Sequence, residues 1–449
     1  MSDGAELLFA GIATLSRRLR ARELSPVALV EAALARIDAL AAPLGCFAAV
    51  TKVRALAEAR AAEAELADGR WRGLLHGVPS ALADVIDTKA IRTGLGVPAL
   101  AARTPERDAT VAARLADQGA ILVGKVAVLP LAGALRDGAS APVRSPWDPG
   151  RLAGGPSPGA AAAVAAGLVP LALTALGADA DTAAAECGAT ALRPTYGVLS
   201  RRGVVAGSYT LAAVGPVARL AEDCAIALDA LAGADPRDPS SIAAPPGLAR
   251  LAPGLPKGLR VGVLEFPGAA KDGESFAAAQ EALRAAGAIV AGVSLPELPL
   301  AEAAALLEGA EAEVVAGDVP GLAGGSPRGP AARASAADYV RAARLRGEVQ
   351  RALARLFERH DLLLAAAPRT GESPAPDPLA AAVALGGLPA LTLPAGLVAG
   401  RPVAVRLVAP PLEEARLLSA GALFQARSSH HLHRPPLAPA VAFAAVTRR

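Results

Sequence analysis

Apolar positions recur at helical spacing in "SPVALVEAALARIDAL", Ser25 to Leu40, with serine where an N-cap belongs and proline at the first helical position. This pattern predicts an amphipathic helix. A second helix is predicted from Ala55 in "ALAEARAAEAELADG", closed by Gly69. Two short β-rich runs follow, "GVPSALADVIDT" (Gly77 to Thr88) and "AILVGKVAVLPLAG" (Ala120 to Gly133), separated by the helical pattern of "DATVAARLADQG". Strand, helix, strand predicts a largely parallel sheet. The most apolar stretch, Ala160 to Leu176, is mostly alanine and is interrupted by Gly167 and Pro170. A membrane span needs about 20 apolar residues, so this stretch reads as a buried core helix followed by a strand.

Beyond it, helical and strand patterns alternate through "LRVGVLEF", "LPALTLPAG" and "RPVAVRLVAP" to a closing helix in "EEARLLSAGALFQARSSHH". The Pro-rich segment from Pro236 to Gly258 reads as a surface crossing inside one fold. A second soft segment, Gly317 to Ser335, is rich in Gly, Pro and Ser and reads as a mobile loop. No internal repeat is present, and a single domain over residues 1–449 is expected.

Composition narrows the class. Apolar residues make up 53% of the 449 positions and aromatic residues only 3%, so the core must be built from Ala, Leu and Val. A net charge of +3, with basic residues scattered, argues against direct nucleic-acid binding. Cys46, Cys187 and Cys224 are widely spaced and suggest neither a disulfide framework nor a metal-ligand set, which fits a reducing cytoplasm. At the N-terminus, acids precede a short apolar run and arginines follow it, the reverse of a secretory signal. No membrane association and no cofactor are expected.

Candidate chemistry enters through four stretches: "LLHGVPSALADVIDTKAIRTGLG" (Leu74 to Gly96), "DATVAARLADQGAILVGK" (Asp108 to Lys125), "SPWDPGRLAGGPSPGAAAAVAAGLVPLAL" (Ser145 to Leu173) and "CGATALRPTYGVLSRRGVVAGSYTLAAVGPVAR" (Cys187 to Arg219). Together with "LGGLPALTLPAG" and the segment after it, they resemble the amidase-signature family of Ser-cisSer-Lys hydrolases, a family that includes the amidase component of glutamyl-tRNA amidotransferase. The resemblance implies an α/β fold with a central mixed sheet and helices on both faces. It also implies a lysine base, a bridging serine held by a cis peptide bond, a nucleophilic serine and a tight glycine turn for the oxyanion.

Residue by residue, the matching positions differ. Ala83 stands where the family has its lysine, and Pro156 stands in place of the bridging serine, with Ser157 matching the serine after it. Proline tolerates a cis bond, so the Gly155–Pro156 peptide is expected to be cis. Counting 24 residues on from Pro156 puts Ala180 at the nucleophile position, whereas counting back from Cys187 with a one-residue deletion puts Asp179 there. The glycine turn is represented by "TALGADA", Thr174 to Ala180.

Lys89 and Lys125 read as structural or surface lysines, Cys187 as a packing residue, and Asp179, Asp181 and Glu186 as acids of a solvated loop. No histidine lies in this region. Ser157, Thr174, Thr182 and Cys187 lie near the former catalytic positions; Thr182 beside Asp179 or Asp181 is the leading substitute nucleophile, and Ser157 stays open as the other. A pocket is expected between the segments around Ala83, Pro156 and Ala180, with binding residues Ser157, Thr174, Asp179, Asp181 and Thr182 and no metal. Its acidic rim would favour a neutral or cationic ligand. The expectation drawn from these positions is a non-hydrolytic subunit, regulator or ligand-binding scaffold, with a protein partner or a homo-oligomer. The alternative is an amide hydrolase with a rebuilt catalytic centre.

Overall fold

The computed structural model describes residues 4–129, 142–155, 157–177, 182–265, 273–319, 334–368 and 377–437. The chain enters through α1 (Gly4–Leu7), α2 (Ile12–Arg20) and α3 (Pro26–Leu44). The predicted cap of α3 is present: the Ser25 hydroxyl accepts from the Ala28 N–H at 3.2 Å, and Gly45 closes the helix at φ 65°. After β1 (Phe47–Val50), α4 (Lys52–Ala67) ends shortly before Gly69, whose φ is 76°.

Next come β2 (Pro79–Ala83), α5 (Thr110–Asp117) and β3 (Ile121–Val126), and β2 and β3 pair in parallel across the α5 crossover. The apolar stretch forms α6 (Pro158–Ala165) and β4 (Leu171–Leu176). Every residue of α6 is buried, as a helix apolar on all sides requires. Its second residue, Gly159, is fixed by close approach: a Cβ there would lie 2.4 Å from the Ala127 carbonyl oxygen and 2.7 Å from that of Cys46. Among the described residues no helix is long and apolar enough to cross a membrane.

The second half contributes α7 (Thr182–Cys187), β5 (Thr190–Arg193), β6 (Ala213–Ala218), α8 (Ala221–Leu231), β7 (Arg260–Leu264), α9 (Gly273–Ala285) and β8 (Ile289–Gly292). It continues with α10 (Leu300–Asp318), α11 (Ala336–Phe357), β9 (Leu362–Ala366), α12 (Pro378–Gly386), β10 (Ala390–Val398), β11 (Arg401–Val408) and α13 (Glu414–Arg427). The strands join one sheet in the order β1-β3-β2-β4-β6-β5-β10-β11-β9-β7-β8, flanked by helices. The expected α/β fold with a central mixed sheet is therefore present.

The prediction of a largely parallel sheet is corrected. Parallel pairing holds for β2 with β3 and β4 and for β7 with β8 and β9, whereas β1–β3, β4–β6, β5–β6, β5–β10, β10–β11 and β9–β11 are antiparallel. The reason is visible at β10–β11. Ala399 and Gly400 form a two-residue turn with both φ positive, 51° and 74°, which suits a hairpin and leaves no crossover helix.

The Pro-rich crossing is pinned at its start: Asp235, just before it, accepts from Ser200 Oγ at 2.9 Å, and Asp238 within it accepts from the Arg201 N–H at 2.6 Å. Most of the expected mobile loop, 320–333, lies outside the described residues, and its flanks belong to α10 and to the Ser335 cap of α11. The closing helix stops at Arg427, before a short 3₁₀ turn at His430–Leu432.

Candidate active site

The site is built on the ends of β2 and β4. Leu82 pairs with Leu173, so the next residues, Ala83 and Thr174, stand level on one face of the sheet. Ala83 is 0% exposed, and its methyl group leaves this position apolar. Gly154 and Gly155 lead toward α6 with φ of 61° and 64°, a double left-handed turn that glycine adopts without steric cost. The turn delivers Ser157, at the N-cap of α6, beside β4. There the Thr174 hydroxyl donates to Ser157 Oγ, and Ser157 Oγ donates to the Ala175 carbonyl at 3.2 Å. Both residues are buried. A connected hydroxyl pair thus lies beside the apolar floor at Ala83.

The loop after β2 is braced from below. Asp84 accepts from the N–H groups of Gly94 (3.1 Å) and Gly96 (3.4 Å), and burial raises its pKa against the pull of Lys125. Arg103 holds both oxygens of Asp87, at 2.7 and 3.0 Å. Lys125 is level with Leu82, on the face opposite Ala83. Its ammonium donates to the Ile86 carbonyl and to Thr88 Oγ1 (3.1 Å), and burial pushes its pKa down to about 8. Lys125 is therefore a buried structural lysine, while Lys89 is exposed.

Thr182 opens α7 and is half-buried. Cys187, at the end of that helix, is fully buried, its thiol is pushed well above the usual range by burial, and its carbonyl accepts from Trp147 Nε1 at 2.8 Å. Pro156, Asp179, Ala180 and Asp181 lie outside the described residues, as does the Gly155–Pro156 bond expected to be cis. The structure brings Ala83, Ser157 and Thr174 together. His76 lies 3.2 Å from Glu65, and among the described contacts no histidine bonds to Ser157 or Thr174.

Two further residues were missed by sequence reasoning. Arg193, on β5, pairs with Ala390; Arg406, on β11, pairs with Thr392, which in turn pairs with Ala191. Since residues opposite one another, and residues two apart, share a face, the two arginines lie on the same side of the sheet. Both are buried, Arg193 at 5% and Arg406 at 2% exposure. Arg406 donates to Asp377 at 2.6 Å, and Asp377 also caps α12. A charged residue inside an otherwise apolar strand was the available signal.

A model of the amidase family, described as Amidase, matches residues 28–319. The chain belongs to the amidase family. The A-type component of glutamyl-tRNA(Gln) amidotransferase from Chloroflexus aurantiacus (strain ATCC 29366 / DSM 635 / J-10-fl) is 36% identical to this amidase-family chain, over 93% of this chain and 96% of its own length. The protein of the same name from Anaeromyxobacter sp. (strain K) is 37% identical, over 96% and 98%. Among solved structures, native peptide amidase from Stenotrophomonas maltophilia matches with a TM-score of 0.81 at 29% identity, covering 95% of this chain and 98% of that one.

These matches overturn the expectation of a non-hydrolytic subunit, regulator or scaffold. Relatives alike along nearly the whole chain are named as part of an amidotransferase, and the matching fold includes an amidase. The alternative, an amide hydrolase with a rebuilt centre, fits better. Motifs record each family side chain as present or lost at its own position. They carry no sign that Ser157, at the N-cap of α6, has a buried hydroxyl partner supplied by β4.

Proposed function

We propose that the chain is a hydrolase of carboxamide C–N bonds whose centre is rebuilt around Ser157 and Thr174. The observation that carries this reading is the buried hydroxyl pair at the junction of α6 and β4, beside Ala83, in a chain of the amidase family. In this reading Ser157 Oγ bonds to the amide carbon, the C–N bond breaks, and the amine leaves with a proton. Water then cleaves the acyl ester to the acid. A serine nucleophile needs a base, and the carboxylates nearest in sequence to its partner Thr174 are Asp179 and Asp181, between the end of β4 and the start of α7. Thr182 is the alternative nucleophile.

The relatives' designation as one component of an amidotransferase supports a protein partner, and three free cysteines support a cytoplasmic location. The preference for neutral or cationic amides rests on the charge of Asp179 and Asp181. The test is ammonia release from peptide amides, glutamine and aryl amides of differing charge. It is run on the purified chain and on the complex recovered with it from its native cell. Release is expected, and Ser157→Ala should lower it about a hundredfold or more, in line with loss of a nucleophile. Wild-type rates in that variant would move the role to Thr182, checked with Thr182→Ala. No ammonia from any amide, in either preparation, would overturn the hydrolase reading.

A further inference from the structure

Arg193 reaches from the end of β5 to the end of β4. Its Nη1 donates to the carbonyls of Leu176 (2.6 Å) and Gly177 (3.2 Å), and its Nη2 donates to that of Leu211. The preceding carbonyl, Ala175, takes the Ser157 hydroxyl. Three consecutive carbonyls at the exit of β4 are thus held by side chains, two of them by one guanidinium. A peptide unit is planar, so fixing a carbonyl fixes the direction of the N–H that follows it. The planar fork of arginine can hold carbonyls from two chain segments at once, which the single ammonium of lysine does less rigidly.

The anchoring continues outward. Leu211 N–H donates to Ser208 Oγ at 3.1 Å. The hydroxyls of Ser208 and Thr210 both donate to Glu311 on α10, which also accepts from the Tyr339 hydroxyl of α11 at 2.9 Å. The fork therefore ties the chain's exit from β4 to the outer helical layer.

We propose that Arg193 is a positioning residue for the Ser157–Thr174 centre: by fixing the carbonyls of Leu176 and Gly177 it sets the backbone that carries Ser157's acceptor and leads into α7. The proposal rests on the hydrolase reading above. A buried arginine that only filled space would influence folding and leave turnover by the folded fraction unchanged.

The experiment compares wild type, Arg193→Met and Arg193→Lys by thermal unfolding, by ammonia release resolved into kcat and KM, and by backbone hydrogen exchange over residues 174–187. In folded Arg193→Met, kcat should fall tenfold or more with KM changed less than threefold, and exchange over 174–187 should quicken. Arg193→Lys should lie between the two. Should the methionine variant not fold, the lysine variant decides, since it keeps the charge and loses the fork. Wild-type kcat, or a rise in KM alone, would overturn the proposal. If the wild-type chain releases no ammonia, the hydrolase reading fails separately. Hydrogen exchange then judges the positioning role, which unchanged exchange in both variants would overturn.

Discussion

Lys125 shows how a single residue couples burial to pH. Its side chain is fully buried, and burial pushes its pKa to about 8 while Asp84, Asp87 and Asp108 pull it back up. An unfolded lysine titrates near 10.4. Between these values the unfolded chain binds more protons, so the folded state gains stability as pH rises from about 8 to about 10.5 and loses it as pH falls through about 8. Lys125→Met has no such group. The difference in urea midpoint between wild type and this variant should therefore move in favour of wild type from pH 7.5 to pH 10. A difference independent of pH would mean that Lys125 keeps its ordinary pKa. The same residue shows what local pattern leaves out: "GK" at a strand end gave no sign that the ammonium would bridge to Ile86 and Thr88.

Among the elements, α6 was legible because alanine and valine without interruption can only form a buried helix or strand, and its flanking Pro158 and Gly167 mark both ends. Its docking was not legible. Gly159 meets the backbone of Ala127 and Cys46, and backbone atoms cannot swing aside as a flexible side chain would. Overpacking a core position costs about 1–3 kcal/mol, occasionally more. Gly159→Ala should reach at least the upper part of that range, read as a lowered urea midpoint, with a matching loss of activity through displacement of Ser157. A midpoint within error of wild type would show that α6 can slide along β3. The α3 cap, by contrast, is a contact between Ser25 and its own helix, and sequence alone placed it; the bond that the same hydroxyl donates to Glu63 on α4, at 2.5 Å, was not legible there.

Across the whole molecule, residues far apart in the chain share single bonds. Asp223 on α8 accepts from the Ile12 N–H at the start of α2 at 2.6 Å, across 211 positions. Burial raises its pKa to about 7. A carboxyl raised above its unfolded value near 3.9 contributes stability that is fully present below that value and lost as pH rises through about 7. Asp223→Asn can still accept the Ile12 bond through its amide oxygen without titrating. Between pH 5 and pH 7.5 it should therefore lack the part of the wild-type fall in urea midpoint that Asp223 causes. Equal slopes in the two proteins would assign that fall to other groups.

Sequence by itself determined the helices and strands whose patterns are local, among them α3, α4, α5, α6 and β4, and the family, because its motifs keep their order along the chain. It also placed Ser157 and Thr174 in the candidate site. Tertiary structure alone decided that their hydroxyls bond to each other and that Arg193 braces the strand beneath them. It also decided that, among the described residues, six strand pairs run antiparallel. Each of these depends on register between strands distant in sequence, and a slip of one residue turns every side chain of a strand to the opposite face. Periodicity says which residues of a strand share a face; only pairing says which neighbours they meet there.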